Sequence, residues 1–342
     1  MLGQRLEHQG GQPVNTISRR ALIAGTGAVS AAAAVDSIAR IHVAHAAPPP
    51  VGKQAPGFYR AKLGDFEITQ ISDGAATFPM PDGWVKNISK EQALATAAAA
   101  HMPEGKVHVP FNPIVINTGS KLVLIDTGYG PNIGPSVGLL PIHMAAAGID
   151  PKTIDIVVLS HLHPDHINGV KTKDDALAFP NAEHKVPATD WAFWMSEDNA
   201  AKADSQMMKN YFATVRKVLG NMADKVTKYE WGKEVAQGIT ALETPGHTPG
   251  HTSFAVASGN AKMLVQSDVT NIPEFFLRNP DWHVAYDIDP VKAAQTRHKF
   301  YDMAAAEKVL IAGFHFAFPS QGYVEKDGSG YRLVPIRWNP VL

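Results

Sequence analysis

The chain has no cysteine in its 342 residues. That excludes disulfides, a thiolate metal ligand and a cysteine nucleophile, so stability has to come from a packed core. It also has no excess of charge of either sign. Its 31 Lys and Arg against 32 Asp and Glu leave a net −1, which points away from nucleic acid as a partner. A long hydrophobic run is missing as well. The stretch that comes nearest, Ala21 to Val35, is mostly Ala and Gly and is shorter than the ~18 residues needed to span a bilayer, so no stable membrane anchor is expected. Histidine is present in number, 15 residues, and several stand at the ends of short apolar runs, where they can converge.

The first 46 residues carry their own message. Ser18-Arg19-Arg20-Ala21-Leu22-Ile23 leads into the Ala/Gly-rich stretch, and Ala44-His45-Ala46 precedes a Pro run, the order of an n-region, an h-region and an A-x-A cleavage site. The paired arginines resemble a twin-arginine signal. The expected division is an export signal at 1–46 and one domain at 47–342, periplasmic or secreted after cleavage near Ala46. Cleavage removes four Arg and two acidic residues and moves the net charge from −1 to −3. The ~300 residues that remain can bury a large core, and no internal linker follows Pro56. Because a lysine pair keeps charge but not the signal, Arg19→Lys with Arg20→Lys should strand the precursor inside. Normal processing of that double variant would point to another route.

The densest chemistry lies in Ser160-His161-Leu162-His163-Pro164-Asp165-His166, directly after the β-branched run Ile154 to Leu159. The run reads as a buried strand that delivers the cluster to a loop at its end. His161 and His163, two apart, point the same way in an extended stretch and can share one ion. Asp165 and His166 turn away and are placed to hold a neighbouring one. A catalytic zinc takes about three protein ligands plus water, so more must come from elsewhere. Three candidates follow in order: His247 and His251 in the Pro/Gly turn Thr244 to His251, Asp268 after the run Ala261 to Ser267, and His315 after Val309 to Phe314.

This ordered set resembles the metallo-β-lactamase fold superfamily, with its H-x-H-x-D-H signature, Pro-Gly-His turn, lone Asp and lone His. The resemblance implies a four-layer αββα sandwich, an α/β (α+β) fold. It implies that His161, His163 and His247 hold one ion, that Asp165, His166 and His315 hold the other, and that Asp268 bridges them. His251 and Asp126, in Leu124-Ile125-Asp126-Thr127-Gly128, would brace the ligands. Two divalent ions are expected, zinc by default, with iron, cobalt or manganese tolerated by the same ligands. Such a pair can lower the pKa of a shared water to near 7, so that a hydroxide attacks, with Asp165 and Asp268 as the catalytic carboxylates.

Within the superfamily the bridging Asp268 argues against true β-lactamases. Stretches such as Ala55 to Arg60, Asn117 to Leu124 and Gly330 to Pro335 are most similar to the methyl parathion hydrolase group. That resemblance implies hydrolysis of neutral aryl phosphotriesters, and of esters or lactones besides; a lactonase of the same fold is the alternative. Two features depart from these groups: the segment from Asn279 to Pro290, and Asn271, which stands where many acyl-homoserine lactonases have Tyr. A non-catalytic periplasmic zinc-binding protein would use the same ligands without turnover. Phe193, Trp194, Tyr211, Phe212, Phe275, Phe276, Phe314, Phe316 and Phe318 are candidates for an aromatic pocket, with Trp194 and Phe316 preferred. Expected partners are a small-molecule substrate and the twin-arginine export machinery, with a homodimer left open.

Eight strands are predicted: Phe66–Ile71, Pro113–Asn117, Lys121–Asp126, Ile154–Ser160, Ile239–Thr244, Ser253–Ala257, Lys262–Ser267 and Val309–Ala312. Gly259-Asn260 is expected to make a tight hairpin. Helices are predicted at Lys90–Ala100, Val137–Ala147, Asp190–Ser196, Ala201–Leu219 and Pro290–Glu307, the last with Val291, Ala294, Phe300 and Met303 inward.

Overall fold

Short β-branched strands that feed two buried faces at once build the frame. In the strand Leu122–Ile125, Val123 and Ile125 face one core while Leu124 faces another. In Ile156–Val158, Ile156 and Val158 face the first and Val157 the second. This period of two is what a strand with both sides covered requires. The computed structural model describes residues 50–131 and 134–342, and Gln54–Leu342 forms one unit. Residues 1–46, read above as an export signal, lie outside the described residues.

One seven-stranded sheet runs in the order Phe58–Leu63, Phe66–Ile71, Ile114–Asn117, Leu122–Ile125, Ile156–Val158, Glu183–Pro187 and Val226–Tyr229. Its last four strands are mutually parallel. The other seven-stranded sheet runs Glu234–Ala236, Ile239–Glu243, Thr252–Ser258, Ala261–Ser267, Leu310–Gly313, Gln321–Asp327 and Gly330–Pro335. It is antiparallel except where Ala261–Ser267 lies parallel to Leu310–Gly313. Between the sheets, Ile116, Val123 and Val158 pack with Phe254, Val256 and Val265. Outside the first sheet lie the helices Leu140–Ala146, Ala188–Met195 and Gln206–Leu219, and outside the second lies Pro290–Glu307, which buries Phe300 and Tyr301 against Leu264 and Ile311. The layers are therefore helix, sheet, sheet, helix, as the resemblance implied.

The predicted hairpin forms, with Ser258 paired to Ala261 and Gly259 at φ +57°. The helix expected over Ala201–Leu219 is two elements instead. Glu197–Ala201 is capped by Ser196, and Gln206–Leu219 restarts at Ser205, whose hydroxyl accepts from Met208 N–H. A Ser cap of that kind contributes about 1 kcal/mol and sets where the second helix starts. In Pro290–Glu307 the inward stripe includes Ala293, Arg297, Phe300 and Tyr301, whereas Val291 is 59% exposed. The two-stranded antiparallel sheet of Gly74–Pro79 with Lys106–Phe111, joined through the helix Lys90–Ala99, was not foreseen. Its residues Val107, Val109 and Phe111 pack with Trp84, Phe275 and Phe276 over one end of the sandwich, and that end holds the chemistry.

Candidate metal centre

Parallel neighbours carry their C-terminal ends to the same edge, and the polar residues follow. Asp126 comes directly after Leu122–Ile125, His161 and His163 come after Ile156–Val158, and Asp190 comes just after Glu183–Pro187. Across the sandwich, Asp268 follows Ala261–Ser267 and His315 follows its parallel neighbour Leu310–Gly313. Pro164 then opens a single helical turn, Pro164–Ile167, which swings Asp165 and His166 away from His163.

The structure brings all seven predicted ligands together. His161, His163 and His247 form one cluster of ligand atoms, Asp165, His166 and His315 another, and His161, His166 and Asp268 a third that overlaps both; within each cluster these atoms lie within 4.8 Å of one another. Asp268 sits between the first two, its Oδ2 2.9 Å from His315 Nε2 and 3.4 Å from His247 Nε2, its Oδ1 3.4 Å from His166 Nε2.

Partners outside the cluster fix the imidazole tautomers. His315 Nδ1 lies 2.8 Å from Pro110 O, His166 Nδ1 2.9 Å from Asp126 Oδ2, and His247 Nδ1 2.8 Å from Asp287 Oδ1. Each partner can only accept, so each Nδ1 donates and each Nε2 is left to face the cluster. His161 joins them through Ser160, whose hydroxyl donates to Asp126 and accepts from His161 Nδ1. The consequence is a crowd of electron pairs. His161 Nε2, His163 Nε2, His166 Nε2 and Asp268 Oδ1 are buried with no partner. Buried acceptors left in this state are unfavourable by several kcal/mol unless a cation or a proton sits among them. The residues present fit a pair of divalent ions.

Electrostatics point the same way. Burial, reinforced by neighbouring imidazoles, holds His161 and His163 well below the usual histidine range, so both stay neutral. For His166 and His315 burial acts in the same direction but is outweighed by Asp268, with Asp126 and Asp165 adding at His166 and Asp165 at His315; both are raised. Burial opposes ionisation of Asp268, yet His315 and His166 hold it well below the carboxylate range. Protons occupy the Asp-rich half of the cluster when nothing else does.

His251 has both ring nitrogens engaged: Nδ1 donates to Thr244 O at 2.9 Å and Nε2 accepts from Asp268 N–H at 3.0 Å. It orients the carboxylate. Asp126, at φ +62°, accepts from Ser160 N–H, Ser160 Oγ–H and His166. Two further carboxylates were not anticipated. Asp190 accepts from Leu162 N–H, Gly250 N–H and Trp194 Nε1–H, tying the loop of His161 and His163 to the loop of His247. Asp287 holds His247 and is itself held by the buried Arg297 at 3.3 Å. The only signal for it lay in the departing segment Asn279 to Pro290. Removing such an outer partner lowers metal affinity by about 10 to 100-fold. Asp287→Ala should therefore weaken one of two ions in a metal titration while Asp287→Asn, which keeps an acceptor, retains most of the affinity. Equal loss in both would sink this role.

A cavity of about 320 Å³ opens onto the cluster, with Asp165, Asp268, His163, His247 and His315 in its floor. Phe78, Val109 and Phe111 of the unforeseen two-stranded sheet form one wall. Tyr129, Tyr211, Tyr286 and Asn271 supply the polar part. Trp194 and Phe316, the preferred pocket residues, do not line it. Trp194 is fully buried behind His163, ring centroids 5.8 Å apart, with its N–H spent on Asp190. Phe316 is equally buried, packed over Gly313 and among Phe300 and Tyr301. Of the other aromatic candidates only Tyr211 reaches the cavity wall; Phe314 stacks on His166 instead, at 3.9 Å and 31°.

The chain belongs to the metallo-beta-lactamase superfamily, whose family model matches residues 110–315. Among solved structures it is similar to the hydrolase AbOPH of the beta lactamase superfamily: 30% identity, TM-score 0.77, covering 84% of this chain and all of that one. It is also similar to AidC, a dizinc quorum-quenching lactonase solved with the product N-hexanoyl-L-homoserine, at 26% identity and TM-score 0.77, covering 83% of this chain and 98% of that one. Among curated proteins it is 32% identical over 144 residues to the N-acyl homoserine lactonase AttM of Agrobacterium fabrum, covering 40% of this chain and 48% of AttM. The chain thus spans about half the length of the curated relatives it matches.

Proposed function

We propose that the protein is a metal-dependent hydrolase that opens lactone rings, with N-acyl homoserine lactones as its substrate class. The observation that carries this reading is the cavity: a floor of five of the seven candidate metal-binding side chains joined to an apolar wall of Phe78, Val109 and Phe111, which suits a reactive polar ring bearing an acyl chain. The naming of AttM and AidC as lactonases supports it. The preference for aryl phosphotriesters drew on stretches similar to the methyl parathion hydrolase group and on Trp194 and Phe316 as pocket aromatics, and those two rings point into the cores.

In this reading His161, His163 and His247 hold one ion, Asp165, His166 and His315 the other, and Asp268 both. Two divalent ions bound there would activate water and polarise the attacked carbonyl. Asp165 is the carboxylate with room to act, since its side chain is 18% exposed against 2% for Asp268. As water adds to the carbonyl carbon and the ring C–O bond breaks, one proton has to travel from the water to the departing ring oxygen, and Asp165 can hold it between the two. We further propose that the Ser18 to Ala46 segment directs export, so that substrate is met outside the cytoplasm.

Metal-loaded full chain offered N-hexanoyl homoserine lactone and a neutral aryl phosphotriester should show kcat/KM at least about tenfold higher for the lactone, a difference of ~1.4 kcal/mol. A faster triester would return the assignment to the phosphotriesterase reading. No turnover of any ester by protein holding both ions would favour a binding protein.

A further inference from the structure

Three phenols line the cavity, and none of Tyr129, Tyr211 and Tyr286 donates its hydroxyl to a described residue by any hydrogen bond in the structure. Phenols largely removed from solvent ordinarily find a partner. The three are not equivalent. Tyr129 leans on Phe111 of the two-stranded sheet, centroids 5.2 Å apart. Tyr211 instead lies against the cluster itself, its ring 5.0 Å from that of His163. It is carried by the rigid helix Gln206–Leu219, whose inward face is locked by Phe212, Val215 and Leu219 in the core, and Trp194 backs both Tyr211 and His163. A donor fixed on a packed helix, beside a ligand and open to the cavity, is preorganised for a substrate oxygen.

We propose that Tyr211 is a catalytic residue whose hydroxyl donates a hydrogen bond to the oxygen of the carbonyl under attack. The proposal rests on the hydrolase reading above and adds a residue that the metal ligands do not supply. Water adds to the carbonyl carbon, its π pair moves onto the oxygen, and the negative charge gathering there is shared with the phenol O–H. When the carbonyl re-forms, the ring C–O bond breaks and the ring oxygen takes the proton lost by the water. Tyr211 keeps its own proton throughout. An ordinary phenol is protonated across the neutral range, so the donor is present wherever the enzyme works. Because the hydrogen bond strengthens as charge develops, it should be felt in kcat more than in KM.

The test is Tyr211→Phe, which removes one oxygen and leaves the ring against His163 and Trp194. Loss of a preorganised donor of this kind lowers kcat by about 10²-fold. The expected result is that fall in kcat for N-hexanoyl homoserine lactone, with KM within about threefold, two ions still bound and an unchanged melting temperature. The ring-opened product, titrated calorimetrically into metal-loaded protein, should bind nearly as well as to wild type. Tyr129→Phe and Tyr286→Phe serve as controls and should lose less than tenfold. The proposal is overturned if Tyr211→Phe keeps kcat within threefold, if all three variants lose activity equally, or if the loss tracks a loss of metal. Should wild type hydrolyse an aryl ester or triester and no lactone, the lactonase reading fails, and the ratio of Tyr211→Phe to wild type on that ester still decides the role of the phenol.

Discussion

Asp268→Ala lowers kcat/KM on the order of 10³-fold or more and leaves protein that retains less than two ions per chain. The carboxylate touches both halves of the cluster, reaching His315 and His247 through Oδ2 and His166 through Oδ1. Charge stabilisation by a metal is worth several kcal/mol in the transition state, and each 1.36 kcal/mol is a factor of ten. His251→Ala should cost far less, about tenfold, because His251 only orients Asp268 through its backbone N–H. Elemental analysis beside steady-state kinetics reads both variants. The reverse order of severity would place His251 among the ligands, and fully active protein with a single ion would remove the two-ion reading.

The two halves of the cluster should also part company as the pH falls. His161 and His163 are held neutral by burial and by neighbouring imidazoles, so an ion bound there displaces no proton from them at pH 7. His166 and His315, raised by Asp268 against the opposing effect of burial, carry protons in the metal-free protein, and an ion in the Asp-rich half has to expel them. Affinity of that half therefore drops by up to about a factor of ten per proton for each pH unit below their raised folded values, a decline that begins above 6.5. The sign for the metal-free fold is opposite. A histidine raised by folding stabilises the protonated fold below pH 6.5, and that contribution is lost as pH rises through the folded value. Calorimetric titration of metal-free protein in buffers of different ionisation enthalpy should show two classes of ion, one releasing about two more protons than the other. Identical proton release for both ions would sink the account. Since saturating metal at 10³ times Kd stabilises by about 4 kcal/mol, chelation should also lower the melting temperature by roughly 10 °C.

Much of the site was legible because metal ligation demands particular side chains at strand ends. Asp126, Asp268 and His315 each close a short apolar run, and the signature from His161 to His166 is local enough to be recognised within seven residues. The braces were harder to see. Asp287 serves His247 across 40 residues and Asp190 joins Leu162 to Gly250, pairings with no periodicity to announce them. The pocket was misjudged at Trp194 and Phe316 for a simpler reason: nearness in sequence to a ligand says little about direction. Next to His315, which points at Asp268, Phe316 faces the opposite core, and Trp194 lies behind His163.

The sandwich fold was implied by the resemblance of the ordered motif; the sequence by itself determined the candidate ligand residues, the alternation of strands and helices and the Gly259-Asn260 turn. Each of these is written in residue type and local spacing, which short-range sterics and coordination chemistry translate directly. Only the tertiary structure decided which nitrogen of each imidazole faces inward, that Asp287 and Asp190 hold the ligand loops, and that Phe78, Val109, Phe111 and Tyr211 enclose the cavity. Those outcomes depend on where separate elements land when two sheets and their helices bury their apolar faces together, and no local spacing encodes them.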